Sequence, residues 1–175
     1  GAVEGWNDHS VFVRGSDRVK NEVAALLAAE DKPKPPVVLK FQIIEANGFT
    51  QTDTSVAQVE SVLRGLFRFN GYRLVAEAYI RTKEESTASQ MIVGDNGQQY
   101  GINVRVDKVM RREGKASAEV TTELWVDAPG LIALSNTVNM PDGQTIVLGT
   151  ARTTGEGRAG QLRGALILVV MPELR

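Results

Sequence analysis

The spacing of hydrophobic residues changes from a helical period to an alternating one near residue 37. Within residues 16–29, apolar positions recur every three or four residues, which predicts an amphipathic helix capped by Ser16. The apolar stripe of this helix consists of Val19, Val23, Leu26 and Leu27. The proline-rich residues 31–36 end the helix and predict a linker, because proline cannot continue a helix and extends the residue before it.

Residues 37–81 have the pattern of a strand, a helix and a second strand, which predicts a β-α-β unit. Both strands, at residues 37–46 and 72–80, alternate and present one apolar face. Between them, Ser55 and Gln58 have the spacing of a capping box, and Gly71 fits the left-handed position that ends a helix. We expect this helix to direct six residues toward a core: Val56, Val59, Val62, Leu63, Leu66 and Phe67.

The remainder of the chain alternates in short runs separated by turn signals, which predicts an antiparallel β-meander over residues 89–172 or a sandwich-like arrangement of its strands. Asp95-Asn96-Gly97 and Pro141-Asp142-Gly143 are the clearest turns, and Pro172 is expected to close the last strand. The predicted strands cover residues 91–93, 100–109, 116–126, 131–140, 145–151 and 165–171. The sequence thus predicts an α+β protein with an N-terminal arm and helix at 1–36 and an α+β domain at 37–175.

The composition of the chain excludes several kinds of functional site. The 42% of hydrophobic residues suffices for a core, and the net charge of −1 gives no reason to expect a nucleic-acid partner. The chain has no cysteine, which excludes disulfides, thiolate nucleophiles and cysteine-ligated metals. No apolar run approaches the 18 residues of a membrane-spanning helix. The N-terminus lacks a signal-peptide pattern, and a first residue other than Met fits a chain from which a leader or lipid anchor was removed.

The residues that could take part in catalysis or ligand binding are better explained as surface and loop residues. His9, the single histidine, lies near the N-terminus and is expected to be an exposed surface residue. Residues 155–160 are glycine-rich but lack the Lys-Ser/Thr ending of a phosphate loop, so we interpret them as a loop. The remaining candidates are Glu84, Glu85 and Glu113 in loops and the arginines Arg152, Arg158 and Arg163. We therefore predict no catalytic, cofactor-binding or metal-binding residues.

The aromatic residues are expected to pack rather than to bind ligands. Phe67, Phe69 and Tyr72 cluster where the second helix meets its following strand. Trp6 and Trp125 are expected in the core or at a sheet edge.

Two C-terminal segments resemble the secretin family of outer-membrane channel proteins. Residues 134–149 read Leu-Ser-Asn-Thr-Val-Asn-Met-Pro-Asp-Gly-Gln-Thr-Ile-Val-Leu-Gly, and residues 165–172 read Ala-Leu-Ile-Leu-Val-Val-Met-Pro. Secretins have a similar hairpin with an Asp-Gly-Gln/Glu-Thr turn and a similar apolar strand ending in Pro. They place a long gate segment between the two, whereas this chain has only residues 150–164 there. The resemblance implies a secretin-like module without a pore, an envelope or periplasmic location in a bacterium, and self-association.

Three functions remain open on the sequence. The first is a non-catalytic interaction or assembly module whose working surface is a sheet edge, because unpaired strand N–H and C=O groups recruit another strand. Its partner would be another protein or a second copy of the chain. The second is a small-ligand module that binds between the β-α-β unit and the meander. The third, less favoured, is a carboxylate-dependent hydrolase.

Overall fold

The computed structural model describes residues 2–7, 10–30, 32–46, 49–127, 132–152 and 165–175. The chain divides into two compact units, residues 1–34 and 35–175. In the first unit, strands β1 (Ala2–Asn7) and β2 (Ser10–Arg14) form an antiparallel hairpin that precedes helix α1 (Asp17–Glu30). The helix predicted at residues 16–29 is therefore confirmed. His9 and the glycine-rich residues 153–164 lie outside the described part of the chain.

The described residues of the second unit form eight strands and one α-helix. Sheet I has the order β4-β3-β10-β9 and sheet II has the order β5-β6-β7-β8, with all neighbouring strands antiparallel. The elements are β3 (Pro36–Ala46), α2 (Ala57–Leu66), β4 (Arg73–Lys83), β5 (Ser86–Val93), β6 (Gln99–Arg112), β7 (Lys115–Val126), β8 (Ile132–Pro141), β9 (Ile146–Arg152) and β10 (Ala165–Leu174). Among the described residues, no helix is long and apolar enough to cross a membrane.

One hydrophobic core joins the two sheets face to face. The alternation in β3 buries Leu39 and Phe41 from sheet I against residues of sheet II such as Ile102, while Leu168 of β10 lies in the same cluster. Burying one such side chain completely stabilises the fold by about 1.5–3 kcal/mol. The α+β class and the sandwich-like arrangement predicted from the sequence are therefore confirmed.

Helix α2 packs on the opposite face of sheet I. Its buried residues Val59 and Leu63 belong to a second hydrophobic cluster on this face. In the same cluster, the ring of Phe69 meets the ring of Tyr72 edge-on, with 6.3 Å between the ring centroids. The hydroxyl group of Tyr72 donates to the Leu63 carbonyl at 3.2 Å, and burial raises the pKa of this tyrosine. The predicted aromatic packing cluster is thus confirmed, whereas Val62 and Leu66, predicted to face the core, are exposed. The stripe that faces the sheet is therefore narrower than predicted, because Val62 and Leu66, four residues apart, lie on an exposed flank of the helix beside Leu63.

The cap of the second helical segment differs from the prediction. The Asp53 carboxylate accepts a hydrogen bond from the Ser55 N–H at 2.9 Å, and a short 3-10 turn (Thr54–Val56) precedes α2. The Ser55 hydroxyl and backbone N–H hold the pKa of Asp53 below its usual value. The capping box expected from Ser55 and Gln58 is therefore wrong, because a carboxylate two residues upstream occupies the capping role.

Three further predictions are corrected by the sheet topology. The strand-helix-strand order predicted for residues 37–81 is present, but β3 and β4 are adjacent antiparallel strands and not the parallel pair of a β-α-β unit. The meander predicted for residues 89–172 ends at β8, because β9 and β10 form a hairpin that joins β3 in sheet I. Strand β10 also continues beyond Pro172 to Leu174. Pairing with β9 stops at Val170, so the missing N–H of Pro172 interrupts no bond to that strand.

Candidate assembly surface

The two segments that carry the family resemblance meet in the structure. The Gly143 N–H donates to the Pro172 carbonyl at 2.8 Å, and the Asp142 carboxylate accepts from the Leu174 N–H at 2.8 Å. The Asp142 N–H donates to the Ala116 carbonyl of β7 at 3.0 Å. Gly143 has φ of 69°, which glycine adopts without steric cost. The turn therefore connects sheet II to the last strand of sheet I.

The carboxylates singled out in the sequence have structural contacts. Glu84, in the two-residue connection between β4 and β5, accepts a hydrogen bond from the Val109 N–H at 2.9 Å. This bond gives the Val109 N–H a partner next to the irregularity in the pairing of β6 with β7. Glu113 is exposed in the turn between β6 and β7, with φ of 51°. Within the described ranges, no three His, Cys, Asp or Glu residues lie together in a way that could hold a metal.

The open edges of the sandwich are the main candidate surface. Sheet I ends at β4 and β9, and sheet II ends at β5 and β8. Strand β4 carries four charged residues and β9 has only seven residues, features that limit pairing with a further strand. In contrast, β5 and β8 have eight and ten residues and no charged side chain. The edges of sheet II therefore lack the charges that commonly protect an edge strand.

Hydrogen bonds at the turns show which groups of β5 point outward. The Gly94 N–H donates to the Gln98 carbonyl at 2.9 Å, in line with the register of β5 on β6. Because bonding alternates along an antiparallel strand, the even-numbered residues of β5 bond to β6. The odd-numbered residues then point their N–H and C=O groups away from the sheet. Asp95, an odd-numbered residue just after β5, follows the same pattern. Its N–H points away from β6 and donates to the Val75 carbonyl of β4 at 2.9 Å.

The same reasoning applies to β8. The bond from the Asp142 N–H to the Ala116 carbonyl continues the register of β8 on β7, so even-numbered residues of β8 bond to β7. The backbone groups of Ser135, Thr137 and Asn139 therefore point outward at the free edge. All three side chains are exposed, as are those of Thr87, Ser89, Met91 and Val93 on β5. Each edge of sheet II thus presents odd-numbered residues with unpaired backbone groups.

The outer face of sheet II carries an apolar row from one edge to the other. The pairing register places Met91, Gly101, Trp125 and Ile132 side by side on the four strands. A Cβ atom at Gly101 would lie 2.8 Å from the Met91 sulfur and 2.9 Å from Cε3 of Trp125, so both side chains lie over the glycine. At the row's two ends, Met91 is 57% exposed and Ile132 is 49% exposed. Trp125 therefore packs over Gly101 on the outer face of the central strand β7, and its predicted place in the core or at a sheet edge is wrong.

The middle of this face is polar. An open depression of about 180 Å³ is lined by Thr87, Asn103, Arg105, Thr121 and Glu123. Arg105 pairs with Asp107 at 2.8 Å, and the hydroxyl group of Thr121 lies 2.9 Å from that of Thr137. The apolar row is therefore confined to the end of the sheet that contains the turn at residues 94–98.

Side-chain hydrogen bonds hold that turn next to the row. The Asn96 amide donates to the Tyr100 hydroxyl at 2.8 Å, and this hydroxyl group donates to the Gln98 side chain at 3.0 Å. Burial raises the pKa of Tyr100. Gly97 has φ of 79°, as expected for the predicted turn at Asp95-Asn96-Gly97, which is confirmed.

Comparison with known proteins supports the secretin-like fold. No family model matches the sequence, and no curated protein matches it. Among solved structures, the chain is similar to the secretin InvG (residues 176 to the end) of the Salmonella SPI-1 type III secretion injectisome in its open gate state. The likeness has a TM-score of 0.55 with 14% identity, and it covers 99% of this chain and 70% of that one. A likeness at 14% identity shows a shared fold and nothing further. The predicted resemblance to secretins is therefore confirmed at the level of the fold.

Proposed function

We propose that this chain is a non-catalytic, secretin-like assembly module of the bacterial envelope that associates with further copies of itself through its sheet edges. The observation that carries the proposal is the pair of uncharged edge strands, β5 and β8, at opposite sides of one sheet. Unpaired N–H and C=O groups on such edges gain hydrogen bonds when another strand is added. The periplasm is the compartment that the secretin resemblance favours.

The two alternatives have weaker support. A small ligand between the β-α-β unit and the sheet-II strands would have to displace core side chains such as Phe41, Ile102 and Leu168, which are fully buried there. A hydrolase would need carboxylates free to exchange protons in a pocket. Instead, Glu45 pairs with Arg73 at 2.8 Å, and Glu84 is bonded to the backbone.

Sedimentation velocity over a range of concentrations tests the proposal. We expect the weight-average sedimentation coefficient to rise above that of a single chain as the concentration increases, because strand addition is a mass-action equilibrium. High salt should change this behaviour little, since charged groups do not dominate the β5 and β8 edges. A chain that stays monomeric at every concentration would refute self-association.

A further inference from the structure

We infer that the outer face of sheet II binds a saccharide that carries an N-acetyl group, with its hydroxyl groups in the polar depression and its acetyl methyl group on Trp125. This activity is independent of self-association and goes beyond the proposed function. Three observations carry the inference: the hydrogen-bonding groups that line the depression, the balance of their charges, and the apolar row directly beside them.

The depression lies across strands β5, β6 and β7. Asn103 is paired with Glu123 in one row, and in the next row Thr87, Arg105 and Thr121 lie side by side. All five side chains can form hydrogen bonds, and the amide, the carboxylate and the guanidinium group each present two or more polar atoms in one plane. Such planar groups match the neighbouring hydroxyl groups of a sugar ring, which donate and accept in pairs. The depression, of about 180 Å³, has room for one such ring.

The polar groups of the depression are held in place and retain atoms for a ligand. The Asn103 amide donates to one oxygen of the Glu123 carboxylate at 3.3 Å, and Nε of Arg105 lies 2.8 Å from the Asp107 carboxylate. Among the described residues, no partner is found for the second Glu123 oxygen or for the two terminal nitrogens of Arg105. Glu123 can therefore accept from a ligand N–H or O–H group, and Arg105 can donate to a ligand oxygen.

The charges around the depression favour a neutral ligand. Arg105 and Glu123 are the charged residues of its lining, and their charges cancel. A phosphate or carboxylate group on Arg105 would also meet Asp107, which already contacts that guanidinium group. A cationic group on Glu123 would meet Arg105 in the next row, and like charges placed together oppose binding. A neutral ligand rich in hydroxyl and amide groups meets neither obstacle.

The apolar row specifies the N-acetyl group. Trp125 follows Glu123 by two residues on the same face of β7, about 7 Å further along the strand, and lies over Gly101 of β6. An acetamido group combines an N–H, a carbonyl group and a methyl group. At this boundary its N–H reaches Glu123, while its methyl group covers the indole ring and the exposed Met91. A hydroxyl group in the same position would leave this apolar surface uncovered.

Proton–nitrogen correlation spectra of the whole chain, titrated with tri-N-acetylchitotriose, test the site. We expect the indole N–H signal of Trp125 and the backbone signals of Asn103 and Glu123 to shift, with a Kd of about 1 mM for a site this open. The chain has two tryptophans, and a Trp125→Phe variant identifies the Trp125 signal by its loss. Cellotriose has the same ring linkage with a hydroxyl group in place of each acetamido group. It should bind about tenfold more weakly.

Glu123→Gln distinguishes this site from a nonspecific surface. The variant keeps the size of the side chain and can still accept from the Asn103 amide, but it loses the charge that strengthens a bond from the acetamido N–H. We expect binding to weaken about tenfold. Asn139→Ala, on the same face and outside the depression, is the matched control and should bind like the parent chain. Circular dichroism checks that both variants are folded.

Cell-wall glycan strands and the saccharide part of an outer-membrane lipid can both carry this group. Co-sedimentation with purified peptidoglycan, and with vesicles of phosphatidylethanolamine and lipopolysaccharide, separates the two sources. Glu123→Gln should bind less of whichever polymer the parent chain recognises. Binding of the parent chain to neither would overturn a role for this site in the envelope.

The titrations also decide the class of ligand. A preference for chitotriose over cellotriose that is weakened in Glu123→Gln and kept in Asn139→Ala supports the inference. Equal binding of cellotriose would overturn the role of the N-acetyl group. Shifts caused by trialanine or inorganic phosphate in place of the saccharide, or no shift at saccharide concentrations far above the expected Kd, would overturn the site. Sedimentation velocity tests self-association separately, so either conclusion can fail alone.

Discussion

Replacing Ser89 by proline should strongly weaken self-association and leave the monomer folded. The Ser89 N–H points away from β6, so proline removes no hydrogen bond from the isolated sheet. In the assembly, the same substitution leaves a carbonyl group of the added strand unpaired and places a ring at the contact. An unpaired buried acceptor costs about 2 kcal/mol, which weakens association at least about 30-fold. Sedimentation velocity measures this loss, and circular dichroism checks the fold.

Two further variants make this test specific. Gln90→Pro is the matched control, because the N–H of Gln90 bonds to β6 and its loss should destabilise the monomer itself. Ser135→Pro blocks the opposite edge and should also give a monomer. Assembly of Ser89→Pro as strong as that of the unmodified chain would contradict the use of β5.

Replacing Gly71 by alanine should lower the free energy of unfolding by about 3 kcal/mol. A Cβ atom at this position would lie 2.2 Å from the carbonyl oxygen of Gln51 and 2.7 Å from its carbonyl carbon. Both are backbone atoms, so the chain itself would have to move, and forced overpacking costs up to about 3 kcal/mol. The movement would also strain the bond from the Asp53 N–H to the Tyr72 carbonyl, 2.8 Å long, next to the cap of the helical segment.

Gly65→Ala is the matched control for this substitution. Gly65 lies in α2, and a Cβ atom there would meet nothing within 4 Å. Alanine is favoured over glycine in a helix by roughly 0.5–1 kcal/mol, so this variant should be slightly more stable than the parent chain. Urea unfolding monitored by circular dichroism compares the two. Equal stability of Gly71→Ala and the parent chain would show that residues 51 and 71 are further apart than the structure places them.

Gly71 also illustrates what sequence patterns can and cannot identify. The sequence predicted it as the end of a helix, since an Asn-Gly pair after an apolar stripe commonly ends one. The helix instead ends at Leu66, and Gly71 is required where two backbone segments approach closely. Glycine serves both purposes, and the sequence around it does not distinguish a left-handed position from a contact with a residue 20 positions away.

Sheet membership was predicted less well than strand position. Alternation located β3, β6 and β7 because one face of each strand is buried. It could not assign β9 and β10 to sheet I, because alternation identifies the buried face of a strand and not its neighbour. The long connection from β4 through sheet II to β9 is a property of topology, which local pattern does not encode.

The candidate surface was partly visible in the sequence. Residues 86–93 and 132–141 lack charged residues, a feature that could be read without the structure. Its meaning depends on both segments being edge strands, since a central strand has no free backbone groups to protect. The row from Met91 to Ile132 likewise requires the register of three strand pairs. A sheet edge was predicted as the working surface, but the sequence did not indicate which one.

Hydrogen–deuterium exchange at low and high concentration tests self-association through sheet edges most directly. The outward amides of β5 and β8 have no ladder partner in the single chain and gain one in the assembly. We predict that exchange in peptides covering residues 86–93 and 132–141 slows as the concentration increases, while exchange in α2 stays constant. Unchanged exchange in both edge strands under conditions where sedimentation shows assembly would contradict this account.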